Sequence, residues 1–481
     1  MSDRPCDNQK VLSQLTELFN EKLDATVADA VTEFSQQYYQ TSTQEELNER
    51  KLENLYGATL SCWQFMQSFT PEQSKIRVYN PDLEQHGWRA QHTVIEILNT
   101  DMPFLVDSVR MALNRRGLSI HTIHNAVLRT RREADKLIGL TDEGEAHNRE
   151  SAIYMEIDRT SDSEELKAIT QSLNEVLTYV RASVEDYPQM IEKAKQLLNE
   201  LAGQSDESAE EAQAFVNWML DDRFTFLGYD EVEIDHSGEE VEIRRVEGSE
   251  LGTMKLLLKS GRGQVLANLR EVERDFLLEP TALMFAKDSL RAMVHRPAYR
   301  DRVVIKRFDD DGKVIGKCRF YGLYTSPVYS EAPTRIPMLR RKVAAVMKAA
   351  GFETGGHNAK ALMQILNDLP RDELFLSSED ELLETAMGIF GLQERRKARL
   401  LVRRDRCNQF VTCLYFVPRD IYSTVVRVQV QDILSNAFQA LDAEFTTTFS
   451  ESILARVQFV LRIDPDKPVD VNLADVEAQV A

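Results

Sequence analysis

The segment that most restricts the fold is HTVIEILNTDMPFLVDSVRMALNRRGLSI, residues 92–120, because its hydrophobic period changes twice within a short distance. An apolar run typical of a buried strand ends at a polar turn. A helix is then predicted over Pro103–Arg116, and Gly117 ends it before another apolar run. The predicted inner face of this helix contains Met102, Leu105, Val109 and Leu113, and the outer face contains Asp107, Arg110 and Asn114. A strand, a turn and a helix in this order favour a small α/β sandwich.

The chain that follows supplies the remaining elements of this sandwich. Residues 118–130, LSIHTIHNAVLRT, form a strand-like run whose alternation slips near His121–Ile123, which predicts a β-bulge. A hairpin is predicted from KLIGL and SAIYMEID, which lie on either side of a polar stretch. Apolar residues at helical spacing from Leu166 to Val184 predict a long helix. A strand, a helix, two strands and a second helix correspond to a split βαββα sandwich.

A second sandwich is predicted near the C-terminal end. The alternation of Ala398, Leu400 and Val402 predicts a first strand, and NQFVTCLYFV predicts a second strand that Pro418 ends. A helix follows, and FTTTF with ILARVQFVLRI then predicts a hairpin. The residues that alternate in its second strand are Ile453, Ala455, Val457, Phe459, Leu461 and Ile463. The last stretch, PVDVNLADVEAQVA, predicts a helix that Asp470 or Asn472 caps and that nothing terminates, so we expect the gene to continue.

The region between the two sandwiches is mixed. VVIKRF and GKCRFYGLYT predict two strands joined at DDDG, and RIPMLRRKVAAVMKAAG predicts a helix closed by Gly351. The predicted fold class is therefore α+β, with small ferredoxin-like sandwiches, a mixed antiparallel region and helical segments. We divide the chain into an N-terminal helical segment (1–72), a first sandwich (73–203), a mixed α+β region with a helical segment (204–392), a second sandwich (393–468) and the start of another helical segment (469–481).

Composition limits the classes of function. A net charge of −20 disfavours nucleic acid and anionic membranes as partners, and no apolar stretch is long enough to span a bilayer. The N-terminus has no apolar core of a signal peptide. Five cysteines without metal-ligand spacing suit a reducing, cytoplasmic compartment. Glycine accounts for about 4% of the chain, against a typical value of about 7%, which disfavours nucleotide-phosphate loops.

Four motifs suggest chemistry but fit a structural role better. His121 and His124 are three apart on a strand, so their imidazoles would point to opposite faces rather than to one metal ion. Asp309–Gly312 predicts a hairpin turn rather than a calcium loop. Gly261–Gly263 lacks the third glycine of a dinucleotide-binding turn. The basic runs LRRK and RRDRC favour a solvated face or a subunit contact over RNA or anion binding. No catalytic residue and no metal ligand is predicted.

The turn in the first sandwich remains the candidate site. The start of the following helix offers free backbone N–H groups, and nearby oxygens would accept hydrogen bonds from an ammonium group. Two interpretations stay open. Either Asp101 only caps the helix, with Pro103 in its first turn, or the turn in addition binds an effector or forms an interface. The residues in this candidate site are Asn99, Asp101, Met102, Pro103, Phe104 and Asp107.

Two levels of resemblance follow from these motifs. Strand, turn and helix at 92–116, with the later strands and helix, resemble an ACT domain, a regulatory module that often binds amino acids at the turn after its first strand. Three runs resemble the N-terminal region of the large, NAD-specific glutamate dehydrogenases of bacteria: TDMPFLVDSV, HNAVLRTRRE and RESAIYMEIDR. Three later runs resemble the same family and follow one another in the family's order: FYGLYTSPVYSEAPTRIPMLRRKV, LNDLPRDELF and LLVRRDRCNQFVTCLYFVPRDIYST. The resemblance therefore spans roughly residues 90–465.

The resemblance implies ACT-like sandwiches, a PAS-like mixed region and a homo-oligomer in the cytoplasm. It also implies a whole protein that oxidises L-glutamate to 2-oxoglutarate and ammonia with NAD. The glutamate site and the NAD-binding fingerprint of dehydrogenases are missing from residues 1–481, so both are expected downstream. The chain itself is predicted to regulate and to oligomerise, with an amino acid as effector. The alternative is a freestanding ACT-type amino acid sensor or scaffold without catalytic activity.

Overall fold

The computed structural model describes residues 8–141, 148–202, 207–237, 241–261, 270–309, 311–392, 395–450, 452–467 and 469–480. It divides into two compact units. The first contains Met1–Glu185 and Ala292–Pro297, and the second contains Asp186–Arg291 and Ala298–Ala481. The chain therefore passes from one unit to the other after residues 185, 291 and 297. The five-part division made from the sequence remains a prediction.

The first unit has four N-terminal helices followed by an α/β sandwich. Its elements are α1 (Gln9–Lys22), α2 (Ala25–Tyr38), α3 (Gln44–Asn48), α4 (Leu52–Met66), β1 (Lys75–Tyr79), β2 (Thr93–Thr100), α5 (Leu105–Arg115), β3 (Ile120–Glu133), β4 (Lys136–Leu140), β5 (Asn148–Ile157) and α6 (Ser163–Glu185). The outer residues predicted for α5 are exposed, and Leu105, Val109 and Leu113 are buried.

The five strands form one antiparallel sheet in the order β1-β2-β5-β3-β4. The sequence β2-α5-β3-β5-α6 gives the predicted βαββα arrangement, with β1 added beside β2. A register shift between Ile120 and Thr122 confirms the predicted bulge. The predicted hairpin is wrong: β4 pairs with β3 through the tight turn at Ala134 and Asp135, and β5 pairs with β2 and β3. The polar residues 142–147 of that prediction lie outside the described residues.

Helices cover both faces of this sheet. The N-terminal helices share a buried apolar cluster with Leu98, Ala126, Leu128 and Ala152. Because side chains alternate along a strand, Asn99 points to the opposite face, where the Arg181 side chain of α6 donates to it. The helices α1, α2 and α4 of the described N-terminal segment thus cover one face of the first sheet.

The second unit contains the mixed region and the second sandwich. Its elements are α7 (Tyr187–Ala202), α8 (Glu207–Trp218), a π-helical turn (Met219–Arg223), β6 (Phe224–Asp235), β7 (Glu242–Arg245), β8 (Leu251–Gly252), α9 (Thr253–Lys259), α10 (Glu271–Leu278), β9 (Leu283–Arg291), β10 (Tyr299–Phe308), β11 (Val314–Tyr324), α11 (Ser326–Ser330), a 3₁₀ turn (Pro333–Arg335), α12 (Leu339–Ala349), α13 (His357–Asp368), α14 (Arg371–Leu376), α15 (Glu379–Phe390), β12 (Arg399–Arg404), β13 (Phe410–Pro418), α16 (Thr424–Phe438), β14 (Asp442–Phe449), β15 (Leu454–Arg462) and α17 (Leu473–Val480).

The mixed region has a six-stranded antiparallel sheet in the order β7-β6-β11-β10-β9, with β8 also paired to β6. The predicted hairpin is confirmed by the pairing of β10 with β11, and Gly312 in its turn has a φ of +77°. Asp310 of that turn lies outside the described residues, as do Arg262 and Gly263 of the Gly261–Gly263 motif. Gly351 follows α12 with a φ of +66°, which is consistent with the predicted helix end.

The second sandwich repeats the topology of the first. Its sheet has the order β12-β13-β15-β14 and follows the predicted chain order ββαββ. The Asn472 side chain accepts a hydrogen bond from the backbone N–H of Ala474 at 3.1 Å, which confirms Asn472 rather than Asp470 as the cap of α17. The predicted α+β fold class is therefore confirmed. In the described part of the chain, no helix is both long and apolar enough to cross a bilayer.

Candidate functional site

The turn predicted as the candidate site begins at Asn99, which is 1% exposed and fully engaged in hydrogen bonds. Its Oδ1 accepts from the Ser74 hydroxyl and from Arg181 Nη2, both at 2.9 Å. Its Nδ2 donates to the Thr100 carbonyl at 2.9 Å. Asn99 therefore ties β2 to α6, and it offers no spare acceptor to a ligand's ammonium group.

Asp101 does not cap the helix, so this part of the prediction is wrong. Its carboxylate pairs with Arg149 at 2.9 Å, and its backbone N–H donates to the Arg149 carbonyl at 2.9 Å. The helix begins only at Leu105. The residue before it is Phe104, whose φ of 72° is left-handed, and no side chain caps the helix. The extra residues between Asp101 and the helix remove the aspartate from the capping position.

Pro103 is exposed and precedes the helix, rather than lying in its first turn as predicted. Met102 is half-buried. Phe104 and Asp107 both contact His295: the two ring centroids are 5.2 Å apart, and the Asp107 carboxylate is 3.6 Å from His295 Nδ1. Four of the six candidate residues, Asn99, Asp101, Phe104 and Asp107, therefore have partners within the chain, and ligand binding at this turn stays a prediction. They form a turn whose helical end packs on another segment of the chain.

That segment, residues 292–297, is the part of this site that sequence reasoning missed. It follows β9 and precedes β10, but it belongs to the first unit. The backbone N–H of His295 donates to the Ser108 hydroxyl at 3.0 Å, and the Arg115 guanidinium donates to the Ala292 carbonyl. About 190 residues separate the partners in sequence, and no local pattern indicates such a contact.

A second candidate site lies on the face of the first sheet that the N-terminal helices cover. A cavity of about 350 Å³ opens there between the helices and the sheet. Its lining comes from the end of α2, the turn before α3, α3 and the residues just after it, α4, the start of β3 and Tyr154 of β5. The residues in the lining that matter for its chemistry are Tyr38, Ser42, Glu46, Glu49, Arg50, His124 and Tyr154.

Arg50 is the main charge in this cavity. Its Nη2 lies 2.9 Å from a Glu156 carboxylate oxygen, and the guanidinium carbon lies 4.6 Å from the Tyr154 ring centroid. Glu156 also accepts from the Tyr154 hydroxyl at 2.8 Å and faces His92 Nδ1 at 2.9 Å. Burial opposes ionisation of Glu156, but Arg50 and His92 lower its pKa below the ordinary value. The carboxylate is thus ionised at neutral pH and holds Arg50 in place.

His124 is a structural member of the same lining. Its Nε2 donates to the Tyr38 carbonyl at 2.8 Å, because a carbonyl only accepts. Its Nδ1 therefore accepts from the Ser42 hydroxyl at 3.2 Å. Burial lowers the pKa of His124 to about 4, so the imidazole is neutral at pH 7. The tautomer is fixed by these two partners, and His124 anchors the end of α2 to β3.

His121, the other histidine of the motif, contacts a different partner, the carboxylate of Asp158. Its Nε2 lies 2.8 Å from Asp158, and its ring stacks on His92 with 4.1 Å between the centroids. Hydrogen bonds from Ser119 and His121 lower the pKa of Asp158. Among the described residues, no group of three or more His, Cys, Asp or Glu side chains could hold a metal ion.

A cavity of about 390 Å³ in the second unit is also lined by charged side chains, and several of these are paired. Lys287 lies 2.6 Å from Asp301 and 2.8 Å from Asp372. Arg403 donates two hydrogen bonds to Glu373, at 2.8 and 3.1 Å. Because these charges neutralise one another, this cavity offers a ligand fewer free groups than the cavity beside Arg50.

The basic runs are solvated in part, as predicted, since Arg340 and Arg406 are exposed, and in part they have partners within the chain, while a subunit contact stays a prediction. Arg403 is buried against Glu373. Lys342 donates to three carbonyls at the end of α14, and burial lowers its pKa to about 8. Arg340 pairs with Glu211 at 2.6 Å, and Arg406 with Glu279 at 2.6 Å. The positive charges of both runs therefore stabilise the second unit.

Comparisons with known proteins match three regions of the chain to family models. Residues 34–173 match the glutamate dehydrogenase ACT1 domain, residues 336–395 match glutamate dehydrogenase helical motif 1, and residues 399–481 match the glutamate dehydrogenase ACT2 domain. The first model includes α3, α4 and the turn before α3, so it contains the cavity beside Arg50 as well as the turn at residues 99–107.

Three curated relatives are NAD-specific glutamate dehydrogenases. The protein from Halomonas elongata is 44% identical over 98% of this chain and 30% of its own length. The protein from Pseudomonas aeruginosa is 43% identical over 94% of this chain and 28% of its own length. The protein from Mycobacterium tuberculosis is 27% identical over 75% of this chain and 22% of its own length. The chain thus spans less than a third of the length of these relatives.

Proposed function

We propose that the chain belongs to the family of NAD-specific glutamate dehydrogenases with ACT1, helical motif 1 and ACT2 domains, and that it is the N-terminal regulatory and oligomerisation region of such an enzyme. The alignment carries this proposal. It covers nearly the whole chain at 44% identity but only 30% of the relative's length. The complete protein would oxidise L-glutamate with NAD to 2-oxoglutarate, ammonia and NADH.

We place NAD binding and catalysis outside this chain. A dinucleotide fold needs parallel strands joined by crossover helices, with a phosphate-binding turn at the start of a helix. The described strands of this chain pair only in antiparallel fashion. The residues present therefore do not fit the cofactor, and we assign no catalytic step to them.

A regulatory role is supported by the way in which the chain connects its two units. Residues 292–297 lie between β9 and β10 of the second unit but pack on α5 in the first unit. A change at the turn of residues 99–107 would therefore move a segment whose two ends continue into another sheet. A coupling free energy of about 1–3 kcal/mol is typical of allosteric proteins.

Assembly into a homo-oligomer is supported by apolar side chains that the second sandwich exposes. On α16, Val425 and Val428 are 65% and 40% exposed, and on β14, Phe445 and Phe449 are 46% and 57% exposed. Large exposed apolar groups that cluster on one element often mark contacts between proteins. A cytoplasmic location is supported by the described cysteines, which are all free and buried.

The experiment that tests this proposal compares two proteins, the complete gene product and the chain of residues 1–481. We expect glutamate-dependent reduction of NAD by the complete gene product and none by the chain. NAD reduction by the chain alone would place catalysis within it. An inactive complete product, or a gene that ends at Ala481, would favour the alternative of a freestanding ACT-type sensor or scaffold.

A further inference from the structure

One face of the six-stranded sheet in the mixed region is buried and positively charged. Lys306 of β10 and Lys317 of β11 lie directly opposite each other in the antiparallel pairing, and each is 1% exposed. Their neighbours along the strands, Ile305 and Cys318, belong to the apolar core on the other face of the sheet. Because side chains alternate along a strand, both lysines point away from that core.

Lys317 lacks a hydrogen-bond partner on this face. Its Nζ is fully buried and contacts no acceptor among the described residues. A buried polar group without a partner is rare in native proteins, and it often marks a position that a water molecule or an ion fills. Lys306, in contrast, donates from Nζ to the carbonyls of Phe276 in α10 and of Glu279 just after it. These carbonyls give Lys306 acceptors but no balancing charge.

The side chains that surround Lys317 are also cationic. Arg319 lies two residues further along β11 on the same face, and Arg302 lies on the same face of β10 as Lys306. Asp230 of β6 neutralises Arg319, from which it accepts two hydrogen bonds. Burial lowers the pKa of Lys317 to about 6, and the three neighbouring cations add to this effect. The lysine is therefore mostly uncharged at pH 7 as long as no anion lies beside it.

The carboxylates that approach this face from α10 have ion-pair partners of their own. Glu273, which interacts with Arg302 through its charge, pairs with Arg270 at 2.9 Å. Glu279, after the end of α10, pairs with Arg406 at 2.6 Å. The two lysines are thus left without an ion pair in the described part of the chain. Two ammonium groups side by side match an anion that carries two negative charges.

We propose that Lys306 and Lys317 form a binding site for a small dianion, either a dicarboxylate or an inorganic oxyanion. The anion supplies the acceptor that Lys317 Nζ lacks and balances the charge of both ammonium groups. Arg302 is half-buried and adds positive charge on the side from which the anion enters. The site lies in the mixed region rather than in either sandwich, so it goes beyond the proposed function.

Binding of the dianion changes the protonation of Lys317. A negative charge beside an amine favours the ammonium form and raises its pKa. Because Lys317 is mostly uncharged at pH 7 without the anion, the chain takes up a proton when the anion binds. Lys306, whose pKa burial lowers to about 8, is already mostly protonated and contributes little. Proton uptake on binding is therefore the signature of contact with Lys317.

The experiment is calorimetric titration of the 481-residue chain at pH 7 with sulfate and with succinate. We expect at least one of the two to bind, with about one proton taken up per bound dianion. Titrations in buffers of different ionisation enthalpy measure this proton count. Binding of succinate indicates a dicarboxylate as the ligand class, and binding of sulfate indicates an inorganic oxyanion. Acetate, a monoanion, should bind about tenfold more weakly or worse, because it balances only one ammonium group.

Lys317→Met tests the site with little risk to the fold. Methionine has a side chain of similar length and removes the buried amine, so the variant should be at least as stable as the wild type. It should raise the Kd of the dianion about tenfold or more and abolish the proton uptake. Lys313→Met is the matched control, because Lys313 is an exposed lysine in the turn of the same hairpin. Its Kd and proton count should equal those of the wild type.

The proposal is overturned when neither sulfate nor succinate binds, or when Lys317→Met and Lys313→Met bind with equal Kd. Binding to the wild-type chain without proton uptake also overturns it, and this result needs no variant to fold. All of these measurements report binding to the chain without turnover. They are therefore separate from the test of the proposed function, which measures NADH formation by the complete gene product.

Discussion

The strand order β12-β13-β15-β14 of the second sandwich matches β1-β2-β5-β3 of the first, which has β4 in addition, but the turn after the second strand differs between them. In the first, the turn after β2 ends in left-handed Phe104, and its helix α5 has no side-chain cap. In the second, the turn after β13 ends in Ser423, whose hydroxyl accepts the Val426 N–H at 3.2 Å. The first turn is stabilised by a distant segment, at His295, and the second by a local cap.

The faces of the two sheets also differ. The face that the N-terminal helices cover in the first sheet has glutamates at positions 96, 150 and 156, each paired with an arginine. On the face of the second sheet that packs against α14 and α15, Arg403 pairs with Glu373 of α14, beside the apolar residues Leu414 and Phe416 of β13. The difference shows that one topology supports different surfaces, so the function of each sandwich follows from its side chains rather than from its fold.

The largest effect on the free energy of unfolding is expected from breaking a buried arginine–glutamate pair in either sandwich. Arg132 and Glu150 are each 2% exposed at the side chain, and Arg403 and Glu373 are 10% and 7% exposed. Arg132→Leu and Arg403→Leu should each lower the free energy of unfolding by about 3–5 kcal/mol, because a buried carboxylate loses its partner. Urea denaturation measures this. The exposed neighbour variant, Arg131→Leu, should stay within about 0.5 kcal/mol of the wild type.

The next prediction concerns the pH dependence of stability. It distinguishes the first unit, which contains His124, from the second sandwich, which contains no histidine. The pKa of His124 is about 4 in the folded chain, below the ordinary value of 6.5, because the imidazole is buried. The unfolded chain therefore binds more protons between these values, and stability falls as the pH falls through this window. From pH 7 to pH 5 the first unit should lose about 2 kcal/mol.

His124→Gln should remove most of this loss, measured by urea denaturation at several pH values. The carboxylates whose pKa values are lowered, such as Glu156, lose their contribution only at lower pH and do not confuse the comparison. An equal slope in the wild type and in His124→Gln would show that His124 titrates normally in the folded chain.

A smaller difference in stability is expected between variants of the two turns, the turn before α5 and the turn before α16. Ser423→Ala should cost about 1 kcal/mol, since it removes a side-chain cap from α16. Asp101→Ala should cost less, because Asp101 caps nothing and its partner Arg149 is 65% exposed at the side chain. Thermal unfolding of both variants checks the order. A larger loss for Asp101→Ala would mean that Asp101 supports the helix in the way the sequence predicted.

The smallest effect concerns the exposed start of α16. Val425→Ser should change the free energy of unfolding by less than about 0.5 kcal/mol, because the side chain is 65% exposed. The same substitution should weaken self-association when this face contacts a second copy, which sedimentation velocity measures. A large loss of stability in a monomeric preparation would mean that Val425 packs within its own chain.

The strands and helices were predictable wherever a clear hydrophobic period was present. The alternation from Ile453 to Ile463 and the helical spacing of Leu105, Val109 and Leu113 both rest on local physics: period 2 for a strand and period 3.6 for a helix. The bulge in β3 was predictable for the same reason, since a slip in alternation has a local cause. The partner of β4 was not, because pairing depends on turns as short as Ala134–Asp135.

The candidate site was predictable only in part. The sequence located the turn at residues 99–107, but the ring of His295 reaches it from far along the chain. The cavity beside Arg50 had a weak signal, an arginine after the acidic run QEELNE and two adjacent tyrosines, Tyr38 and Tyr39. What made it a cavity, the packing of that segment on β3 and β5, is tertiary and leaves no period in the sequence.

The central claim is that this chain regulates an enzyme whose catalytic part lies elsewhere. The most direct test first titrates the chain with the common L-amino acids and takes the one that binds most tightly. The rate of glutamate-dependent NAD reduction by the complete gene product is measured over a range of its concentrations. We predict that the rate changes, with a half-maximal concentration close to the Kd measured on the chain. A rate that stays constant across concentrations that saturate the chain would contradict the claim.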